Sequence, residues 1–202
     1  MTTLYHKFID HLTKWPGIGS LAASRLLEHF LSDPSLIDSL LKINDLLKKS
    51  VNCPKCQIIF DEKSSSCPNC LKKIISHEIF IIPSIIDYFH TQELPSLKNK
   101  FFFCLQGYLG SSISKSPSSI GISLLTSILS SSEIKKAYLL FNKTLDARST
   151  QWVLRKNIPS NIELIDLSPA LQEKLYLYHL TTSEKEGFLQ RMQSLIHFDK
   201  CL

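Results

Sequence analysis

The first fifty residues place apolar side chains at helical spacing in three stretches. Residues 4–12 predict a short helix, and residues 20–31 predict a second one after a turn. Residues 32–34 break the pattern, and a third helix is predicted from Leu36 to about Lys49, with Ser35 as its cap. The apolar positions of this third helix predict a buried stripe along one face: 36, 37, 40, 41, 46 and 47.

The pattern changes after residue 75, where short apolar runs alternate with helical stretches. The runs predict buried strands at residues 78–83, 101–105, 137–141 and 162–167. The segments between them predict helices at residues 84–93, 120–129 and 144–156. Strands that alternate with helices indicate a mostly parallel sheet with right-handed crossovers. The tail, from residue 169 to about residue 195, is predicted to be mainly helical.

The two patterns together predict an α+β protein built from several parts. We expect a helical domain at residues 1–50, a cysteine-bearing module at residues 51–75, an α/β domain at residues 76–168, and a C-terminal helical tail at residues 169–202. A chain of 202 residues is long enough for this division. No internal repeat is present.

Composition and charge favour a soluble cytoplasmic protein. The chain is 44% hydrophobic and 20% charged, which is ordinary for a globular protein. No apolar run reaches the roughly 18 residues that a membrane-spanning helix needs. The first residues lack the apolar core of a signal peptide. The formal net charge of +5 is compatible with binding to nucleic acid, but it does not by itself indicate it.

Four of the six cysteines form a metal-binding pattern. Cys53 and Cys56 make one Cys-x-x-Cys pair, and Cys67 and Cys70 make a second one ten residues later. Each pair can turn two sulfurs towards one metal ion, and four thiolates satisfy the tetrahedral geometry of Zn²⁺. Since no coordination position would remain open, the zinc ion would be structural. An iron–sulfur cluster, a pair of redox dithiols and a degenerate site are the alternatives.

The turn between the first two helices is a candidate DNA-binding site. Residues 15–19 read Trp-Pro-Gly-Ile-Gly, so helix, turn and helix form the pattern of a helix-hairpin-helix. Glycines permit positive φ and close approach of another surface, and free amides at a helix start can bind a phosphate. A plain turn between packed helices is the alternative. The candidate DNA-binding residues are Lys14, Gly17, Gly19, Ser20 and Arg25.

This order of parts resembles the RecR family of bacterial recombination mediators. The hairpin at residues 15–25, the four cysteines after it and the later strands carry the resemblance, which covers roughly residues 4–167. The resemblance implies a Toprim-type α/β domain. It also implies a homo-oligomer, a dimer or tetramer, that forms a ring or clamp on DNA. The implied partners are RecO- and RecF-like proteins, with which the family loads the recombinase RecA onto gapped DNA.

The chain departs from the family pattern at several positions. Pro83 and Ser84 occupy the places where the family has paired glutamates after the first Toprim strand. Asp87 and Asp146 are what remains of the Toprim acids, and Leu21 replaces the lysine of the hairpin.

These observations predict a non-catalytic protein that binds DNA without sequence preference in recombinational repair. Toprim enzymes hold Mg²⁺ on a glutamate and an Asp-x-Asp set, and the chain has no Asp-x-Asp. A degenerate family member that serves as a protein-interaction scaffold is the first alternative. A Toprim enzyme is the second, and the missing acids argue against it.

Overall fold

A computed structural model describes residues 3–72, 77–110, 116–171 and 179–198. The chain divides into two compact units, Met1–Ser50 and Val51–Leu202. Part of the predicted C-terminal helical tail lies outside the described residues. In the described part, no helix combines the length and the apolar character needed to cross a membrane.

The first unit is a set of three helices. They are α1 (Leu4–Leu12), α2 (Ser20–Ser32) and α3 (Ser35–Lys49). Among the described residues of this unit, only Leu12, Ala23 and Leu27 are buried. Helix α1 packs against α2, and α2 packs against α3. A unit with so few buried side chains has little hydrophobic burial to stabilise it.

Two details of the third helix correct the sequence analysis. The predicted stripe is apolar but not buried, since α3 contains no buried residue. Periodicity indicates which face is apolar and does not say what covers it. Ser35 is not the cap, because it lies within the helix behind Pro34. Instead, the Asp33 side chain accepts a hydrogen bond from the Ser35 amide at 3.0 Å.

The second unit begins with small elements around the cysteines. Strands β1 (Ser50–Asn52) and β2 (Ile59–Asp61) form a two-stranded sheet, and α4 (Pro68–Leu71) is a single helical turn. Their three or four residues are too few to show a periodic pattern, which explains why the sequence analysis did not predict them.

The main sheet has four strands, and all neighbouring pairs are parallel. Its strands are β3 (Glu78–Ile82), β4 (Phe102–Cys104), β5 (Lys136–Leu139) and β6 (Glu163–Asp166), in the order β4-β3-β5-β6. The connecting helices are α5 (Ile85–Gln92), α6 (Ile122–Ser130) and α7 (Leu145–Asn157). The predicted α+β class, with a helical N-terminal region, a four-cysteine cluster and a parallel sheet, is confirmed.

The helices cover the sheet on both faces. With right-handed crossovers, this strand order places α5 on one face and both α6 and α7 on the other. Helix α6 accordingly packs against α7. The chain continues through a 3₁₀ turn (Ser168–Leu171) to α8 (Thr182–Phe198), which packs on that turn. Two side chains of α8, Phe188 and Met192, are buried in the core of the unit.

Candidate metal centre and nucleic-acid interface

The four cysteines of the two Cys-x-x-Cys pairs come together in space. Their sulfur atoms all lie within 4.8 Å of one another. The Cys53 and Cys70 sulfurs are 3.6 Å apart, and so are those of Cys56 and Cys67. Four sulfurs bound tetrahedrally at about 2.3 Å from Zn²⁺ would be roughly 3.8 Å apart. The cluster therefore has the dimensions of a tetrahedral thiolate site, and it can hold a metal ion.

Local turns present the sulfurs. In the first pair, the Cys53 amide donates to the Ile58 carbonyl at 3.0 Å, and the Gln57 amide donates to the Cys53 carbonyl at 2.9 Å. Gln57 has φ +61°, a left-handed conformation that costs a residue with a side chain about 1 kcal/mol. In the second pair, Cys67 caps α4 and Pro68 opens the helix. Both turns are compact enough to aim two sulfurs at one point.

The electrostatics of the cluster favour a bound cation. A hydrogen bond from the Cys70 thiol lowers the pKa of Cys56 to about 5. The same interaction with Cys56, together with burial, raises the pKa of Cys70. Burial raises the pKa of Cys67 to about 11. The thiol that ionises first therefore opposes ionisation of its neighbours, and a divalent cation at the centre of the cluster would stabilise the thiolate forms.

The cysteine module is joined to the open edge of the main sheet. Asn69 is fully buried, and its side-chain amide donates to the Phe102 carbonyl at 2.7 Å. The Asn69 side-chain oxygen accepts from the Phe102 amide at 3.1 Å. The Cys56 carbonyl accepts from the Cys104 amide at 3.0 Å. Both Cys-x-x-Cys turns thus bond to β4, the edge strand, whose backbone groups would otherwise be exposed.

The hairpin presents a run of free amides at the start of α2. Ala23 donates to the Gly19 carbonyl at 2.9 Å, so it closes the first turn of the helix. In the described part of the chain, no hydrogen bond satisfies the amides of residues 20–22, and Gly19 supplies no side-chain cap. Gly17 has φ +80°, whereas Gly19 has an ordinary extended conformation. Of the two glycines, only Gly17 therefore needs to be glycine for its conformation.

The surface of the hairpin is open. A side chain added at Gly17 or Gly19 would meet nothing within 4 Å. Lys14, Ser20 and Arg25 are all exposed. Leu21 precedes Arg25 by one turn and is 68% exposed, an unusual position for a large apolar side chain. Ser20 lies in the first turn of α2, and Gly19 is the residue at the N-cap position. The Ser20 hydroxyl remains available to solvent or to a ligand.

Three single acids lie near the carboxyl ends of the sheet strands, and two have structural partners. Asp87 is buried, and its carboxylate accepts from the Ser84 hydroxyl at 2.6 Å at the start of α5. Burial raises the pKa of Asp87. Asp166 accepts from the Ser168 amide at 2.9 Å. Asp146 lies in the first turn of α7, where its negative charge interacts favourably with the positive end of the helix dipole.

The structure therefore gives no acidic metal site at this edge among the described residues. Among all the described residues, the four cysteines are the one cluster of three or more His, Cys, Asp or Glu side chains that is close enough to hold a metal ion. Pro83 and Ser84 directly follow β3, the first strand of the main sheet, and the Pro83 carbonyl accepts from the Gly107 amide at 3.0 Å. The backbone at this position therefore extends the hydrogen bonding at the carboxyl end of the sheet.

Sequence reasoning missed Asn69, Gln57 and the bond between Tyr5 and Ser24. The Tyr5 and Ser24 hydroxyls are 2.8 Å apart and tie α1 to α2. An asparagine between Pro68 and Cys70 offers no sequence signal for a role in sheet pairing. The left-handed backbone conformation of Gln57 could be expected only if the geometry of the turn around Cys56 were already known.

Fold and site together define a class: a protein with an N-terminal helical unit, a four-cysteine module and a parallel α/β domain. No protein-family model matches the chain. Three curated proteins called Recombination protein RecR are similar to it. The protein of Flavobacterium johnsoniae is 25% identical over 161 residues, which cover 77% of this chain and 75% of that protein.

Two proteins from Chlorobium species give the same result. Recombination protein RecR of Chlorobium chlorochromatii is 25% identical over 154 residues, covering 73% of this chain and 75% of that protein. That of Chlorobium phaeobacteroides is 24% identical over 152 residues, covering 70% of this chain and 72% of that protein. The chain is thus similar to Recombination protein RecR over most of its length, at about 25% identity.

Proposed function

We propose that this protein acts in recombinational DNA repair by binding DNA without sequence preference and without catalysis. The similarity to three proteins called Recombination protein RecR supports the repair role. The observation that carries the DNA-binding role is the hairpin, whose free amides and exposed Arg25 face solvent together. Amides and a guanidinium recognise the phosphate backbone, which carries no sequence information.

In this proposal, Lys14, Gly17, Gly19, Ser20 and Arg25 form the DNA contact. A phosphate oxygen accepts from the free amides at the start of α2, while Arg25 pairs with a neighbouring phosphate. Gly17 and Gly19 leave open space in which the DNA backbone can approach. Leu21 reduces the positive charge of this face relative to a lysine.

We assign one structural zinc ion to Cys53, Cys56, Cys67 and Cys70. The spacing of the sulfurs fits a tetrahedral thiolate site, and no ligand position is left for a substrate. When bound, zinc would cross-link the two Cys-x-x-Cys turns and would take no part in a reaction. It also holds Asn69 and the Cys56 carbonyl in place against β4.

The proposed partners are DNA, RecO- and RecF-like proteins and further copies of this chain. The exposed apolar face of α3 supports self-association. Its large exposed side chains include Leu36, Ile37, Leu41, Ile43, Leu46 and Leu47. A patch of this kind on a helix is typical of a protein-protein interface. We assign the protein to the cytoplasm, where recombination takes place.

The scaffold alternative keeps the fold and the zinc ion but lacks DNA binding. The exposed Leu21 on the hairpin favours it. The two functions separate in one experiment, in which zinc-loaded protein is titrated onto two gapped duplexes of unrelated sequence at several salt concentrations. The repair mediator binds both equally and loses affinity steeply with salt. Absence of binding at low salt would leave the scaffold role.

A further inference from the structure

Helix α7 carries an exposed stripe of cations around one tryptophan. Residues 145, 148, 149, 152, 155 and 156 are all exposed, and they lie at the three- and four-residue spacing of one helix face. Arg148, Arg155 and Lys156 supply three positive charges on this stripe. Trp152 lies between them and is 59% exposed.

No acid of the described chain neutralises these cations. Ion pairs to Arg148, Arg155 and Lys156 are absent among the described residues. Asp146 is the one acid of α7, and it is half-buried beside Gly110, off the exposed stripe. Helix α6, which packs beside α7 on the same face of the sheet, contains no charged residue. Among the described residues, the exposed stripe of α7 therefore carries positive charges that no ion pair offsets.

The tryptophan is held in an arrangement that suits stacking. The Lys156 ammonium lies over one face of the Trp152 ring, 3.6 Å from its centroid, so a base would stack on the opposite face. More than half of the Trp152 surface remains open to solvent. A ring of this kind, flanked by cations that can follow a phosphate backbone, is a stacking platform for an unpaired base. In duplex DNA, by contrast, the base faces are covered by their neighbours.

We propose that the exposed face of α7 binds single-stranded nucleic acid, with a base stacked on Trp152 and the backbone phosphates paired with Arg148, Arg155 and Lys156. The site adds a single-strand contact to the proposed function at the hairpin. It requires no contribution from the hairpin. Charge complementarity and the stacking surface identify the occupant.

The test uses the full zinc-loaded chain and an oligothymidylate, which forms no duplex. The chain has two tryptophans, so Trp15→Phe leaves Trp152 as the single tryptophan reporter. Oligothymidylate should quench the Trp152 fluorescence of this variant at low salt. Trp152→Ala should weaken oligothymidylate binding about tenfold, whereas Trp152→Phe should retain most of the affinity. Phe89→Ala, a change at a similarly exposed aromatic residue on α5, should have no effect.

The charges are tested separately. Replacing both Arg148 and Arg155 with glutamine should lower the salt dependence of oligothymidylate binding by about 1.4 in logarithmic slope. Lys63→Gln, at an exposed lysine of the cysteine module, is the matched control. Arg25→Ala should weaken duplex binding and leave the Trp152 quenching intact, so failure of this inference and failure of the proposed function are distinguishable.

Three results would overturn the assignment. The first is Trp152 fluorescence that does not change on saturation with oligothymidylate. The second is binding that Trp152→Ala leaves intact but Arg25→Ala abolishes, which would assign single strands to the hairpin. The third is equal quenching by polyglutamate of matched charge, which would show a surface for any acidic polymer.

Discussion

The side chain of Asn69 pairs with the backbone of Phe102 through two hydrogen bonds, one donated and one accepted. The amide thus occupies the place that a neighbouring strand would take along the edge of the sheet. Together with the bond from Cys104 to Cys56, it makes the cysteine module a cover for β4. The cysteine module therefore organises more than its own loop, because its two turns bond to the edge strand of the sheet.

The first prediction concerns this pairing. Asn69→Asp keeps the size of the side chain but removes the donor to the Phe102 carbonyl and adds a buried charge. We expect the free energy of unfolding of the zinc-loaded protein to fall by about 2–4 kcal/mol. Urea denaturation measures it, and Asn161→Asp, at an exposed position, is the control. Equal stability of the two variants would show that the pairing contributes nothing.

The second prediction concerns the metal. Mass spectrometry under native conditions should find one zinc ion per chain. Cys67→Ser should abolish stoichiometric zinc and lower the melting temperature by more than 10 °C, since zinc binding contributes several kcal/mol to folding. Cys104 is buried outside the cluster, with its pKa raised to about 12 by burial, and Cys104→Ser should retain the zinc. Iron with visible absorbance would instead indicate an iron–sulfur cluster.

The main sheet could be predicted from the sequence because each strand is a short apolar run between helical stretches. The clustering of the four cysteines could be predicted because Cys-x-x-Cys spacing lets each pair turn both sulfurs to the same side. The exposure of α3 could not be predicted, because an apolar stripe at positions 36–47 has the same sequence pattern whether the protein's own core or another molecule covers it. The role of Asn69 depends on a contact with Phe102, 33 residues away, which no local pattern encodes.

The third prediction concerns self-association through α3. Leu47 is 63% exposed at the centre of the apolar face, and Leu47→Glu should place a charge within a proposed interface between copies. We expect the variant to sediment as a smaller species than the unchanged protein at micromolar concentration. Lys42→Glu, on the opposite face of the helix, should leave the association intact. If the unchanged protein itself sediments as a monomer, the proposed self-association through α3 is contradicted.

The fourth prediction concerns pH. Burial raises the pKa of Asp87 above its ordinary value of 3.8, so folding disfavours the charged carboxylate. The associated stability is present below the unfolded-state pKa and is lost as pH rises through the folded-state pKa. Asp87→Asn removes this dependence. Between pH 4 and 7, the unfolding free energy of the unchanged protein should therefore fall relative to that of the variant.

Both proteins carry the same cysteine cluster, so acid release of zinc affects them equally. An Asp87→Asn variant that is less stable throughout this range, by the same amount at each pH, would contradict the account. Such a constant difference would mean that the pKa of Asp87 is the same in the folded and in the unfolded protein.

The central claim is that the hairpin binds the DNA backbone, and salt-dependent affinity for a gapped duplex tests it most directly. Arg25→Ala should weaken binding equally for unrelated sequences and reduce the logarithmic salt slope by about 1, whereas Leu21→Lys should increase the slope by a similar amount. Lys42→Ala, an exposed cation on α3, is the control. Unchanged affinity and slope in folded Arg25→Ala and Leu21→Lys variants would contradict the account.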